Sequence, residues 1–260
     1  MSKKETFSKD VRHLYTESYF MENATGHDEF KNFEGRFEQL IDKFQMILGH
    51  LELSKSSKLL DIGCGRGEMV IYHALNGGVA AGVDFSDEAI KLAKSKADEL
   101  KAGCKFQISS FEMIDEEIKY DRIISIDFIE HIAVEEGKTF YKKCYNLLNP
   151  GGRLLVYTFP NTIRRRYGYK LIRAFSIIKG KPMPRKEPDT ISDHYKQYHL
   201  NEQSYFSLRK SAINAGFDKV RVQYIDPSIK DSPFKKVLIN TPFRHLFLKG
   251  LTLIADKSSQ

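Results

Sequence analysis

Tryptophan is absent from this chain of 260 residues, and cysteine is scarce, at three. Cys64, Cys104 and Cys144 are odd in number, far apart and in no metal-like pairing. They exclude a disulfide scaffold and suit a reduced, cytoplasmic protein. No apolar run approaches the roughly 20 residues that cross a bilayer. The opening MSKKETFSKDVRH lacks the apolar stretch of a secretory leader. Internal repeats and low-complexity tracts are missing too, while 41% hydrophobic residues suffice for a real core. One α/β domain with additions is the expected organisation.

Acidic residues are nearly missing from one stretch. Between residues 161 and 188 lie nine of the 41 Lys and Arg but only one of the 34 acids, Glu187. The formal net charge of +7 therefore resides in this stretch, and the remainder is one charge from neutral. Such a pattern disfavours a nucleic-acid protein with a basic face throughout and favours a local attachment or substrate patch.

What is present reads as an alternating α/β chain. Residues 36–53 place Phe37, Leu40, Ile41, Phe44, Ile47, Leu48 and Leu51 at helical spacing, predicting one amphipathic helix. Strands are expected at 58–62, 79–83 (buried on both faces), 105–109, 122–126 and 153–158, and a turn at Asn149–Gly152. Helices are expected up to Asn76, from the cap Ser86 to about Gly103, and near 134–147. This rhythm predicts a parallel sheet with helices on both faces. A basic, irregular insertion follows Pro160 to about Asp193. After it come a helix near 202–214, a strand at 218–224, a Pro-interrupted segment and a last strand near 251–255. The organisation expected is an N-terminal helical arm (1–54), a core (55–160), a basic cap (161–200) and a C-terminal completion of the core (201–260).

The most informative segment is LLDIGCGRGEM, residues 59–69. Glycines between a buried strand and a helix let the chain turn sharply and let a ligand approach the backbone. The spacing G-x-G-x-G is one residue tighter than the dinucleotide fingerprint, which disfavours a dehydrogenase. Asp61, beside the loop, suits a cationic ligand better than a diphosphate. Asp84, ending the second strand, is placed to accept both hydroxyls of a ribose. The bland readings are a merely tight connection, an Asp61 that only caps loop N–H groups, a Cys64 that is a small filler and a Phe85 that is simple core.

With GVDFS (82–86), YDRIISIDFIEHI (120–132) and LLNPGGRLLVYTF (147–159) in order and spacing, the chain resembles the class I S-adenosylmethionine-dependent methyltransferases over roughly residues 55–160 plus its terminal helix and strands. The resemblance implies a Rossmann-like, seven-stranded, mostly parallel sheet whose last strand is antiparallel. It implies S-adenosyl-L-methionine as cofactor, with Asp61, Gly63 and Gly65 against its methionine part and Cys64 beside it. Asp84 would hold the ribose, Phe85 the adenine, Ser110 and Phe111 the adenine edge, and Asp127 the region of the amino group and reacting methyl.

The segment 127–131 is similar to the E-x-x-E-H segment of ubiquinone-pathway O-methyltransferases, with Asp127 replacing the first Glu, and DHYKQYHLNEQ (193–203) is similar to their T-H-x-W region. His131 and His194 are thereby the candidate catalytic bases, with Tyr195, Tyr198 and His199 nearby. A structural alternative for His131 is a helix-start histidine bonded to a carbonyl, and for Glu130 a solvated helix-start acid. Asp127, Glu130, His131 and His194 could together hold a divalent metal, as in RNA 3′-terminal ribose methyltransferases, but no metal is expected.

The expected reaction is O-methylation of a small-molecule, sugar-linked or lipid-linked acceptor, with an anionic one among the candidates. Residues 164–181, a basic segment interleaved with apolar residues, suit a peripheral membrane contact or a cap over the pocket. RNA ribose methylation and a non-catalytic cofactor- or membrane-binding module are the competing readings.

Overall fold

The computed structural model describes residues 14–187, 199–225, 229 and 232–259. Its frame is a seven-stranded sheet in the order β3-β2-β1-β4-β5-β7-β6. The strands are β1 (Lys58–Ile62), β2 (Val79–Asp84), β3 (Lys105–Ile108), β4 (Tyr120–Ile126), β5 (Leu148–Thr158), β6 (Lys219–Gln223) and β7 (Leu251–Asp256). β1 to β5 pair in parallel, whereas β7 runs antiparallel between β5 and β6. The strand order reverses at β1, which has β2 on one side and β4 on the other. An open α/β sheet has its ligand crevice at the carboxyl ends beside such a reversal.

Alternation along β1 splits the core into two layers. Leu60 and Ile62 face Phe140, Tyr141, Cys144 and Leu147 of helix α5 (Val134–Leu147) and Leu208 and Ala212 of α7 (Tyr205–Ala215). Leu59 faces the opposite layer, built by α2 (Asp42–Leu51), α3 (Glu68–Leu75) and α4 (Asp87–Glu99) through Ile47, Met69, Ile71, Ile90 and Ala93. Ser86 caps α4 as its sequence position suggests, its hydroxyl accepting the Ala89 N–H at 3.2 Å.

Four local expectations change. The helix over 36–53 is interrupted: a 3-10 turn (Phe37–Gln39) gives way to extended backbone at Leu40 and Ile41 before α2 begins. Leu40 thereby turns inward to a buried position, while Phe37 stays 39% exposed. β5 starts at Leu148 and carries Asn149–Gly152 within it. β2 is not buried along its whole length, since Val79 at its start is 57% exposed. The first part of the insertion is helical and not irregular. Residues 162–178 form a continuous helix, whose first part is a π-turn (Arg164–Gly168) and whose remainder is α6 (Tyr169–Ile178).

Ahead of the sheet lie a π-turn (Tyr19–Asn23) and α1 (His27–Lys31), and the Pro-interrupted segment holds the short helices α8 (Pro233–Leu238) and α9 (Arg244–Phe247). Among the described residues no helix is long and apolar enough to cross a membrane.

Candidate active site

At the end of β1 the chain turns through three glycines with left-handed backbone, Gly63 (φ 77°), Gly65 (φ 52°) and Gly67 (φ 81°). Two of them serve packing. A Cβ on Gly63 would sit 2.4 Å from the Phe128 ring, and one on Gly67 would sit 2.6 Å from Phe106. Gly65 differs: a Cβ there would meet only Phe20, at 3.9 Å, so the protein leaves the space beside it open. The loop is tied down by Val83, whose carbonyl accepts the N–H groups of Gly63 (2.8 Å) and Cys64 (3.1 Å).

Asp84, ending β2, faces this loop. One carboxylate oxygen accepts the Gly65 N–H at 3.0 Å and the other the Ser86 N–H at 2.9 Å. Burial raises its pKa, and the backbone N–H groups of Ser86, Gly65 and Phe85 oppose that rise. Asp61 is more deeply placed, 4% exposed, and its Oδ1 has no hydrogen-bond partner among the described residues. Burial, then the neighbouring Asp84 and Glu68, hold its carboxyl well above the ordinary range. A buried acceptor of this kind is costly unless a donor arrives. Cys64 is buried beside them, and burial with the same acids pushes its thiol up, so it is no thiolate nucleophile.

Two cavities meet here. The smaller, about 180 Å³, is lined by Asp61, Gly63, Cys64, Gly65, Asp84, Phe85, Asp127 and His131. The structure thus brings together eight residues singled out from sequence. The larger, about 1070 Å³, is walled by α1 and α2 and also reaches Glu130, Tyr157 and His199. Tyr19, Thr25, Lys43, Asp127 and His131 border both. Ser110 and Phe111 fall outside both linings. Ser110 precedes a 3-10 turn, and Phe111 packs edge-on against Phe128 and Phe140 in the core. His194, Tyr195 and Tyr198 lie outside the described residues.

Asp127 follows β4 with a left-handed φ of 51°, its N–H donating to the Tyr157 carbonyl at 3.0 Å. This conformation is costly for a side-chain-bearing residue and turns Asp127 toward the junction of the cavities. There it forms an ion pair with Lys43 of α2, whose ammonium lies 5.2 Å from the centroid of the Tyr157 ring. His131 sits in the turn before α5, its ring 5.0 Å from that of His199 and 6.4 Å from that of Tyr15. His199 is held neutral: burial, then His131 and Arg165, push its pKa down to about 3.

Glu130 is not a solvated helix-start acid. It is 1% exposed and accepts the Thr158 hydroxyl (2.9 Å) and the Phe159 N–H (3.3 Å). Burial, then Asp127, raise its pKa. Among the described residues no three His, Cys, Asp or Glu side chains converge as metal ligands do.

The N-terminal arm, expected from sequence to cover the end of the sheet together with the insertion, supplies the remaining wall through residues that carried no signal of their own. Tyr15 stands edge-on to Phe85 with centroids 5.0 Å apart, and its carbonyl accepts the Ser86 hydroxyl at 3.3 Å. Arg66, inside the glycine loop, is 4% exposed and donates to the carbonyls of Phe20 (2.7 Å) and Thr25 (2.8 Å). Its charge is met by Glu68 at 2.8 Å. Lys43 carries no local motif, and Arg66 lies inside one without its role being legible; the signal for both exists only once the arm is folded over the sheet.

The family model of mycolic acid cyclopropane synthetase matches residues 13–200. Among curated relatives, the ubiquinone biosynthesis O-methyltransferase of Pelagibacter ubique is 28% identical over 156 residues, 60% of this chain and 64% of that protein. The enzyme of the same name from Coxiella burnetii is 30% identical over 129 residues, 49% and 54% of the two chains. The chain therefore spans less than two thirds of the length of these relatives. Among solved structures, the cyclopropane synthase MmaA2 of Mycobacterium tuberculosis matches with a TM-score of 0.56 at 17% identity, covering 88% of this chain and 98% of that one. Magnesium protoporphyrin IX methyltransferase from Synechocystis, solved with bound SAH, matches at 0.53 and 18% identity, covering 98% and 96%. These likenesses show the fold.

Proposed function

The chain belongs to the mycolic acid cyclopropane synthetase family, and from that premise we propose that it is an S-adenosylmethionine-dependent methyltransferase acting on a hydroxyl of a small-molecule acceptor, sugar-linked or lipid-linked. The observation that carries the reading is the pairing of the open space at Gly65 with the Asp84 carboxylate across one small cavity.

The residues present fit the cofactor. The orphaned Oδ1 of Asp61 lacks the donor that an ammonium would supply. The Lys43–Asp127 pair offers both charges that a zwitterionic amino-acid end requires, Lys43 to its carboxylate and Asp127 to its ammonium. Asp84 would accept the ribose hydroxyls, and Phe85 and Tyr15 would flank the base.

Bound S-adenosylmethionine supplies a methyl group activated by its sulfonium. The chain's own contribution is alignment and proton management. His131 borders both cavities, so it can take the proton of an acceptor hydroxyl held in the larger one. Neutral His199 beside it adds no competing charge. His194 is the second candidate base. Asp28, Glu29, Glu38 and Asp42 on the far wall disfavour a polyanion such as RNA. Membrane contact through residues 164–181 belongs to the same reading.

Calorimetry with S-adenosylmethionine and S-adenosylhomocysteine tests it: binding of both is expected, and absence of binding at millimolar ligand refutes it. Deuteromethyl cofactor incubated with small-molecule extracts then identifies the acceptor by mass shift.

A further inference from the structure

The larger cavity, about 1070 Å³, has a wall whose charge opposes that of the chain. The chain carries a formal +7, yet Asp28, Glu29, Glu38 and Asp42 line this space from α1, the 3-10 turn and the start of α2. Opposite them stand Lys43, Asp127, Glu130, His131 and His199. Lys43 is the one Lys or Arg among the described lining residues, and Asp127 already holds it. Asp28 is paired with His27 (3.1 Å) and Lys31 (3.2 Å). The carboxylates of Glu29 and Glu38 have no partner among the described residues.

Other parts of the wall agree with a positive occupant. The rings of Tyr157 and Phe159 already carry protein ammonium groups, Lys43 at 5.2 Å and Lys249 at 5.6 Å, as cation–π partners do. Thr25, Asn32, Gln39 and Gln45 add hydroxyl and amide groups, which suit a polyhydroxylated molecule and not a hydrocarbon chain. That a ligand fills the joined space has a separate sign. Oδ1 of Asp61, a residue 4% exposed, faces the adjoining cavity without a hydrogen-bond partner among the described residues. The acids of the outer wall do not create the site; they select what enters it. Carboxylates without partners at its mouth draw in and orient a cation and repel an anion before it reaches His131.

We propose that the acceptor is an amino sugar, whose ammonium groups are met by Glu29 and Glu38 while one of its hydroxyls is presented to His131. Glu29 and Glu38 are thereby specificity determinants that hold charge and take no part in the transfer itself. The inference rests on the methyltransferase reading and narrows its acceptor to a cationic polyol.

Its test needs no methyl transfer. Calorimetry on the full chain, with and without saturating S-adenosylhomocysteine, compares a glucosamine trisaccharide with its fully N-acetylated counterpart, which has the same frame and no charge. At mildly acidic pH the amino form is expected to bind about tenfold more tightly or better, and high salt should erase most of the difference. Glu29→Gln combined with Glu38→Gln should bring the two probes within about threefold of each other. Affinity for S-adenosylhomocysteine and the unfolding temperature should stay near wild type, because neither residue lines the smaller cavity. Equal affinity for the probes, preference for the N-acetylated one, binding of neither, or an amino preference that survives the double variant would overturn the proposal. With deuteromethyl cofactor and extract, the mass-shifted product should be retained by a cation exchanger, and a neutral or anionic product would overturn it too. Loss of S-adenosylhomocysteine binding alone would instead sink the methyltransferase reading and leave the probe comparison standing.

Discussion

Lys43 of α2 and Asp127 at the end of β4 form an ion pair across 84 residues of sequence, in the wall common to the two cavities. The pair places opposite charges where a zwitterion would replace each partner. Lys43→Met is therefore expected to weaken S-adenosylhomocysteine binding by roughly ten- to a hundredfold, the worth of a charge-assisted hydrogen bond. Binding of 5′-methylthioadenosine, which has no amino-acid end, should stay near its wild-type value. Calorimetry on the two ligands separates this from a general loss of structure, which would weaken both.

Gly65→Ala should cost about 1–2 kcal/mol of stability from its left-handed backbone alone. Its methyl would enter the open space beside Phe20 rather than collide with the protein. Cofactor affinity should therefore fall by more than the modest loss in thermal stability implies. Equal affinity for S-adenosylhomocysteine in the variant would remove Gly65 from the site.

Asp84→Asn keeps the shape but leaves one oxygen for two backbone donors, Gly65 and Ser86. Both the loop and any ribose contact suffer, so affinity should drop by about tenfold or more. Adenine alone, lacking a ribose, should be far less affected, and a titration comparing adenine with S-adenosylhomocysteine measures the difference.

Glu130 gives a pH dependence with a definite sign. Burial, then Asp127, raise its folded pKa from 4.5 to about 8. Between those values the folded chain holds a proton that the unfolded chain has released, so this contribution to stability is fully present below 4.5 and is lost as pH rises toward 8. Glu130→Gln offers one acceptor to the two donors Thr158 and Phe159 and starts less stable, but it cannot titrate. Melting curves from pH 5 to 8.5 should show the wild type converging on the variant. Parallel curves would contradict the assignment.

His131→Ala is expected to abolish transfer of labelled methyl into an acceptor extract while leaving S-adenosylhomocysteine binding within a few-fold, because His131 borders both cavities without closing the smaller. Retained transfer would shift the role of base to His194.

What could be read from the sequence was local. β1 matches its expected bounds because KLLDI is a short apolar run ending in glycines, and Ser86 caps α4 because the residues around it are a self-contained signal. The glycine loop and Asp84 meet across only 19 residues, within one β-α-β unit whose geometry is stereotyped. That the arm covers the end of the sheet was expected, but the contacts of Lys43 and Tyr15 were hidden because they depend on how it packs there. The burial of Glu130, which rules out the solvated alternative, was hidden for the same reason: its partners Thr158 and Phe159 lie at the distant end of β5. Phe111 shows the converse, an aromatic residue with a site-like position in the sequence whose ring the core claims. The break before α2 arises because Leu40 satisfies the core only by leaving helical geometry.

Arg66 welds the arm to the loop that it covers. Because its guanidinium donates to carbonyls at positions 20 and 25 while Glu68 meets its charge, any event that peels the arm away breaks those bonds and bares the residue beside Gly65 to water in the same motion. Entry of a nucleoside and detachment of residues 14–31 are thus one coupled equilibrium, and hydrogen exchange across those residues should slow in step with occupancy of the glycine loop.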